Sequence, residues 1–226
     1  KCYIDLELMV QHVNVLFRHD TENRMTVVNE LPFDVAPRIF IGATRSGNIV
    51  RFSKSLDDSL VNKLEQVIGA RPSALLGEVI KILSIDRIVN NIWIGPAYVF
   101  PDVRGRTCTK AIMVTNKNKE ILKSHFPYTF ADFENKQPCF VIIENNIPVS
   151  ICCSARQTSK AAEASVFTHE NYRGRAYAAD VTNVWASEVQ KQGKSALYST
   201  SLDNFASQSL ASKLQLIQYG NDIHMS

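Results

Sequence analysis

Apolar and polar positions along this chain follow two rhythms, and their order gives its elements. Leu6, Met9, Val10, Val13 and Phe17 recur at helical spacing, which predicts a helix over 4–17. Residues 38–42 and 48–52 are short β-type runs, and Thr44-Arg-Ser-Gly47 between them predicts a hairpin turn. Ser55 and Asp57 stand where they would cap a helix carrying Leu60, Val61, Leu64 and Val67. A further helix is expected after Pro72, through Leu75, Leu76, Val79, Ile80 and Leu83. None of these elements carries a motif that implies chemistry.

Residues 92–100 read as an aromatic, apolar strand, and 101–109 as a charged, turn-rich link. A regular order follows: a strand at 111–115, a short helix at 118–125, and strands at 138–144 and 147–155. Asn145-Asn146 joins the last two, since Asn tolerates a left-handed backbone. Next come a strand at 162–168 and a long helix at 173–192. That helix has an apolar stripe of Tyr177, Val181, Val184, Trp185 and Val189, with Gly193 as its stop. A strand at 195–200, a helix at 204–214 and a last strand toward His224 complete an α/β (α+β) pattern. Two regions are expected, 1–91 without assigned role and 92–226.

Composition narrows the classes. The chain has 226 residues, 45% hydrophobic and 21% charged, which suits a packed globular protein rather than a disordered one. Its net charge of +3 is too small to argue for nucleic acid or a membrane surface. The five cysteines, Cys2, Cys108, Cys139, Cys152 and Cys153, form no CxxC pair. They are expected as reduced thiols in the cytoplasm, with no metal site. Cys152 and Cys153, adjacent on one strand, would face opposite ways. No apolar run is long enough to span a bilayer, and no secretory signal is apparent. The chain contains no GxxxxGK[ST], HExxH or GxSxG.

Chemistry concentrates between Glu163 and Leu216. A strand ending Val166-Phe167-Thr168 runs through His169-Glu-Asn-Tyr-Arg-Gly174 into a helix. A glycine-bearing turn at a helix N-terminus presents free N–H groups and positive potential, which suits a pyrophosphate. Gly174 permits close backbone approach. Arg173 and Arg175, expected in the first helical turn, oppose the helix dipole unless an anion is bound.

This segment resembles the acyl-coenzyme A site of the GNAT N-acetyltransferase superfamily, over about the last 115 to 130 residues. That family's phosphate motif is Gln/Arg-x-x-Gly-x-Gly/Ala. Asn171-Tyr172-Arg173-Gly174-Arg175-Ala176 matches it at the glycine and the small sixth residue, and departs at Asn171. The resemblance implies a mixed, mostly antiparallel central sheet flanked by helices, and acetyl-CoA as co-substrate without a metal. It further implies an acetyl or short acyl group passed to an amine by direct attack. Arg173, Gly174, Arg175, Ala176 and Tyr177 would cradle the diphosphate. Val166, Phe167 and Thr168 would flank the pantetheine arm, with main-chain groups of Phe167 and Thr168 supplying the contacts. Asn204 and Ser207 would face the coenzyme, Asn204 reading equally as a helix N-cap.

Acid–base groups are less defined. The tyrosine that many members carry seven residues after the asparagine is Ala211 here. Tyr198 or Tyr219 are substitutes, and Glu163 is the preferred base, reading equally as a solvent-facing strand carboxylate. Three readings stay open: an N-acyltransferase acting on a small-molecule or protein amine, as monomer or homodimer; a non-catalytic CoA sensor or interaction module; and a binder of other nucleotide phosphates.

Overall fold

The computed structural model describes residues 2–70 and 75–226. Helix α1 (Cys2–Leu16) leads into a small hairpin, β1 (Phe17–His19) and β2 (Met25–Val28). Then follow β3 (Ile39–Thr44), β4 (Gly47–Phe52), α2 (Asp58–Ala70) and α3 (Leu75–Asp86). The second stretch contains β5 (Ile92–Val99), β6 (Ala111–Val114), α4 (Pro127–Ala131), β7 (Cys139–Glu144), β8 (Ile147–Gln157) and β9 (Ala161–Thr168). It ends with α5 (Tyr177–Lys191), β10 (Ser195–Ser199), α6 (Phe205–Lys213) and β11 (Ile217–Met225).

Nine strands form one sheet, in the order β4-β3-β11-β5-β10-β9-β8-β7-β6. Among the described residues its only parallel pair is β9–β10. The sheet is thus mixed and mostly antiparallel, as expected. It also runs through both expected regions, because β11 pairs with β3 on one edge and β5 on the other.

The two faces are covered differently. Helix α5 lays Val181, Trp185 and Val189 against Phe140, Cys152, Ala162 and Ala164. Burying each such large apolar side chain stabilises by roughly 1.5–3 kcal/mol. On the same face α2 and α3 pack Leu60, Leu64, Val79 and Leu83 against Ile39, Ile41 and Met225. Helix α1 covers the middle of the opposite face, setting Met9, Val13 and Leu16 against Phe40, Ala97, Ala161 and Leu197. Cys152 and Cys153 fall in separate clusters on opposite faces, as the two-residue period requires. Four cysteines, Cys108, Cys139, Cys152 and Cys153, are free thiols.

Local chemistry explains most element limits. Asn145 and Asn146 both take positive φ, 51° and 62°, in the turn between β7 and β8. Asp57 accepts from the N–H of Ser59 at 2.8 Å and so opens α2. Gly193, at φ 75°, follows the end of α5. Four outcomes differ from the sequence reading. Phe17 begins β1 rather than ending the first helix, and the hairpin β1–β2 was not anticipated. The helix expected at 118–125 is a 3-10 turn, Lys119–Leu122, with α4 beyond it. The helix expected from 173 starts at Tyr177, because the chain first makes a 3-10 turn and Ala176 takes a left-handed φ of 66°. The expected helix start after Pro72 lies outside the described residues, while α3 carries the apolar positions assigned to it.

Candidate active site

The central geometric feature is a fork. β9 and β10 pair only at Ser195↔Ala161, Ala196↔Ala162 and Leu197↔Glu163. Beyond Glu163, β9 stays with β8 as far as Ser150↔Thr168, whereas β10 stays with β5. The second attachment is tight. Leu202 donates its N–H to Ile94 at 2.9 Å, and a Cβ on Gly95 would lie 1.7 Å from the Thr200 carbonyl oxygen. Only glycine lets the two backbones meet there. A bulge in β8 between Ser154 and Arg156 sits opposite Glu163 and Ala164, where the fork begins. Such bulges increase local twist and turn the strand away.

His169 donates its N–H to Val149 of β8 at 2.8 Å. Main-chain direction alternates along a strand, so Phe167 also bonds toward β8, while the N–H and C=O groups of Val166 and Thr168 turn into the fork. This corrects the main-chain role expected of Phe167. Phe167 is among the residues lining the cavity, and its half-exposed ring lies beside Phe126 and His169.

The fork opens into a cavity of about 300 Å³, whose lining includes Val166, Thr168, Arg173, Tyr198, Asn204 and Ser207. Ala178, Ala206 and Leu210 also line it, and sequence reasoning missed them. Their small or apolar side chains carry no signal until α5 and α6 are placed side by side.

The turn after β9 has the form of an anion cradle. Gly174 takes a φ of 77°, and nothing lies within 4 Å of the position its Cβ would occupy. Ala176 is the N-cap of α5 and provides no side-chain cap bond. The first intrahelical bond runs from Asp180 N–H to the Ala176 carbonyl, at 3.0 Å. The N–H groups of Tyr177, Ala178 and Ala179 therefore have no intrahelical acceptor.

A family model described as GNAT acetyltransferase matches residues 100–220, more than half of the chain. The chain belongs to the GNAT acetyltransferase family. A GNAT-family protein of Novosphingobium aromaticivorans superposes with a TM-score of 0.52 at 13% identity, covering 61% of this chain and 65% of that one. The chain thus matches less than two thirds of that protein's length. A GCN5-related N-acetyltransferase from Sphaerobacter thermophilus superposes with a TM-score of 0.51 at 9% identity, covering 88% and 78%. At these identities the likeness shows the shared fold. No curated protein matches the sequence.

On this GNAT fold the expected site residues divide into groups. Val166, Phe167, Thr168, Arg173, Tyr198, Asn204 and Ser207 gather at the cavity. Gly174, Arg175 and Ala176 form the turn beside it, and Tyr177 begins α5. Arg173 and Arg175 precede the helix rather than occupying its first turn. Arg173 Nε donates to the Thr168 carbonyl at 3.2 Å, and the Arg175 guanidinium lies 5.0 Å from the Tyr172 ring centre. The Tyr177 hydroxyl donates to Glu144, so its side chain points to β7, away from the cavity. Asn204 caps α6, its Oδ1 accepting from the N–H of Ser207 at 3.1 Å. Burial pushes the Tyr198 hydroxyl above its ordinary value, while the Ser207 side chain acts in the opposite direction.

Glu163 is 5% exposed, which excludes a solvent-facing carboxylate. It is the last β9 residue paired to β10 and faces α1, whereas Tyr198 faces α5 and α6. The two expected acid–base residues thus lie on opposite faces of the sheet. Ser199 donates its hydroxyl to Glu163 Oε1. Arg156 Nε stands 3.6 Å from Glu163 Oε2 and 3.7 Å from Glu30 Oε2. Glu163 Oε2 has no hydrogen-bond partner among the described residues. Sequence reasoning missed Ser199 and Arg156. Among the described residues no His/Cys/Asp/Glu group is arranged to hold a metal, and no helix is long and apolar enough to cross a membrane.

Proposed function

We propose that this chain is an N-acyltransferase that binds acetyl-CoA, or another short acyl-CoA, in the fork between β9 and β10. The observation that carries this reading is the end of strand pairing at Leu197↔Glu163, which leaves one edge of β9 free beside the Gly174 turn. The thioester supplies the activated acyl group. Val166 and Thr168 offer main-chain groups to the pantetheine arm in the manner of an added strand. The N–H groups around Gly174 and at the start of α5, with Arg173 and Arg175, hold the diphosphate. A main-chain N–H at the fork donates to the acyl oxygen as it gains negative charge.

The acceptor is an amine that approaches from the α1 face. Glu163 takes the amine proton as nitrogen attacks the acyl carbon; the C–S bond then breaks, CoA leaves as its thiolate, and no enzyme-bound acyl group forms. Ser199 and Arg156 fix the carboxylate, leaving Oε2 as its receiving atom. Residues 1–91 then serve as the acceptor wall, since α1 packs over β8 and β9. The free thiols support a reducing compartment such as the cytoplasm.

Calorimetric titration of CoA into a folded Gly174→Glu variant tests the site, with loss of binding expected and unchanged affinity contradicting it. Thiol release from acetyl-CoA with a panel of amines tests turnover. CoA binding without thiol release from any acceptor would favour a non-catalytic sensor.

A further inference from the structure

A second cavity, of about 130 Å³, lies where the chain between β2 and β3 folds over the end of β8. Its lining includes Arg18, Asn29, Glu30, Phe33, Asp132 and Arg156. Asn29 ties these walls together. Its Nδ2 donates to the carbonyls of Val15 and Gln157 at 3.1 and 3.2 Å, and its Oδ1 accepts from Arg18 Nε at 3.0 Å. The Arg18 guanidinium rests 4.3 Å from the centre of the Phe33 ring. Phe33 takes a φ of 62°, a left-handed conformation that bulky side chains rarely adopt. Its N–H donates to the Glu30 carbonyl at 2.7 Å, and the Val28 N–H to the Asp34 carbonyl at 2.8 Å, which hold the turn in that shape. Backbone strain of this kind gathers at ligand clamps, and here it sets an aromatic ring against a cation.

The charges around the cavity are engaged to different degrees. Glu30 accepts from Lys136, and Asp132 accepts from Asn135 at 2.6 Å, with Lys136 Nζ 4.0 Å away. Both carboxylates thus have partners within the protein. The guanidiniums keep donors to spare. Neither terminal nitrogen of Arg18 has a hydrogen-bond partner among the described residues. Arg156 Nε is buried without one, and Arg156 Nη1 makes only a long bond of 3.5 Å to the Leu16 carbonyl. Two forked cations with free donors suit a planar anion. Glu30 and Asp132 beside them repel a dianion such as phosphate, which leaves a carboxylate as the fitting group.

Arg156 also joins this cavity to the proposed base, since it lines the cavity and its Nε stands 3.6 Å from Glu163 Oε2. We infer that Arg18 and Arg156 hold the carboxylate of the acceptor, so that the acceptor is an amino acid whose amine lies toward Glu163. The inference rests on the acyl-transfer reading with Glu163 as base. An amine without the carboxylate leaves both guanidiniums uncompensated, and a site built around such donors discriminates against it.

Calorimetry on the CoA-loaded protein tests this without turnover. The common amino acids, β-alanine and γ-aminobutyrate are each compared with the matching carboxamide. At least one acid is expected to bind roughly 10–100-fold more tightly than its amide. Arg18→Gln, a change to an exposed side chain, is expected to remove that preference with CoA affinity retained. In thiol-release assays the same variant should raise KM for the preferred acid by a similar factor, with KM for acetyl-CoA unchanged. Equal affinity of every acid and its amide for the parent overturns the inference, and so does an undiminished preference in folded Arg18→Gln. Failure of the parent to bind CoA would instead sink the acyl-transfer reading. The acid–amide comparison on the same protein without CoA then decides separately whether the carboxylate site exists.

Discussion

The two faces of the sheet meet at the fork but are assembled in different ways. All the residues lining the α5–α6 cavity fall between 166 and 210, so two strands, one turn and two helices contain it. The α1 face draws on the whole chain, and its central pair, His12 and Asp222, is separated by 210 positions. The cavity side is built from main-chain groups and small side chains, which a local motif encodes. The α1 side is built from buried charged and polar side chains, which exist as a group only after the sheet has formed. Under the proposed function, grip on the co-substrate and handling of protons are separable, and substitutions on one face are expected to spare the other.

The largest effect expected on this contrast comes from Gly174→Glu. It places a carboxylate in the cradle and a side chain at a φ that glycine favours, and CoA affinity is expected to fall by at least about 10²-fold. Thiol-release kinetics of Glu163→Gln should show kcat lower by about 10²-fold, with calorimetric CoA affinity retained. Equal loss of both would mean that the faces are not independent.

Asp222→Asn acts on the α1 face through stability. Because the carboxyl is held at about 2, below its ordinary 3.8, its ionised form stabilises the fold above about pH 4. That contribution, roughly 2 kcal/mol, is lost as the pH falls toward 2. Urea unfolding should therefore show the variant weaker than the parent at pH 7, with the gap closing below pH 4. A gap independent of pH would contradict the assignment. The smallest effect is that of Asn204→Ala, which removes the α6 cap at a cost of about 1 kcal/mol. In a chain of this size thermal melting should register it as a fall of about 2–4 °C.

The same contrast governs what the sequence made legible. Strand and helix order from residue 92 onward followed from periodicity and turn residues, whereas the gathering of Val166, Thr168, Asn204 and Ser207 was implied by the resemblance to the acyl-coenzyme A site and not by spacing. The α5 start did not follow, because Ala176, three residues past the expected start, adopts a left-handed conformation that alanine seldom takes. The main-chain groups turned into the fork are those of Val166 and Thr168 rather than Phe167, since strand phase is set by the β8 ladder and not by residue type. Tyr198 and Glu163 appeared as a pair in sequence, yet strand alternation sends them to opposite faces. His12 gave no signal at all: one histidine on an amphipathic helix has no visible partner until Asp222 arrives on the last strand.

The account depends on main-chain N–H groups at Val166 and Thr168 that no strand pairs and that a bound CoA would engage. Residue-resolved amide hydrogen exchange, with and without CoA, tests this directly. Both amides should exchange rapidly in the free protein and become protected on CoA addition, while Phe167, already in the β8 ladder, changes little. Val166 and Thr168 amides that are protected without CoA, or that stay unprotected at saturating CoA, would contradict it.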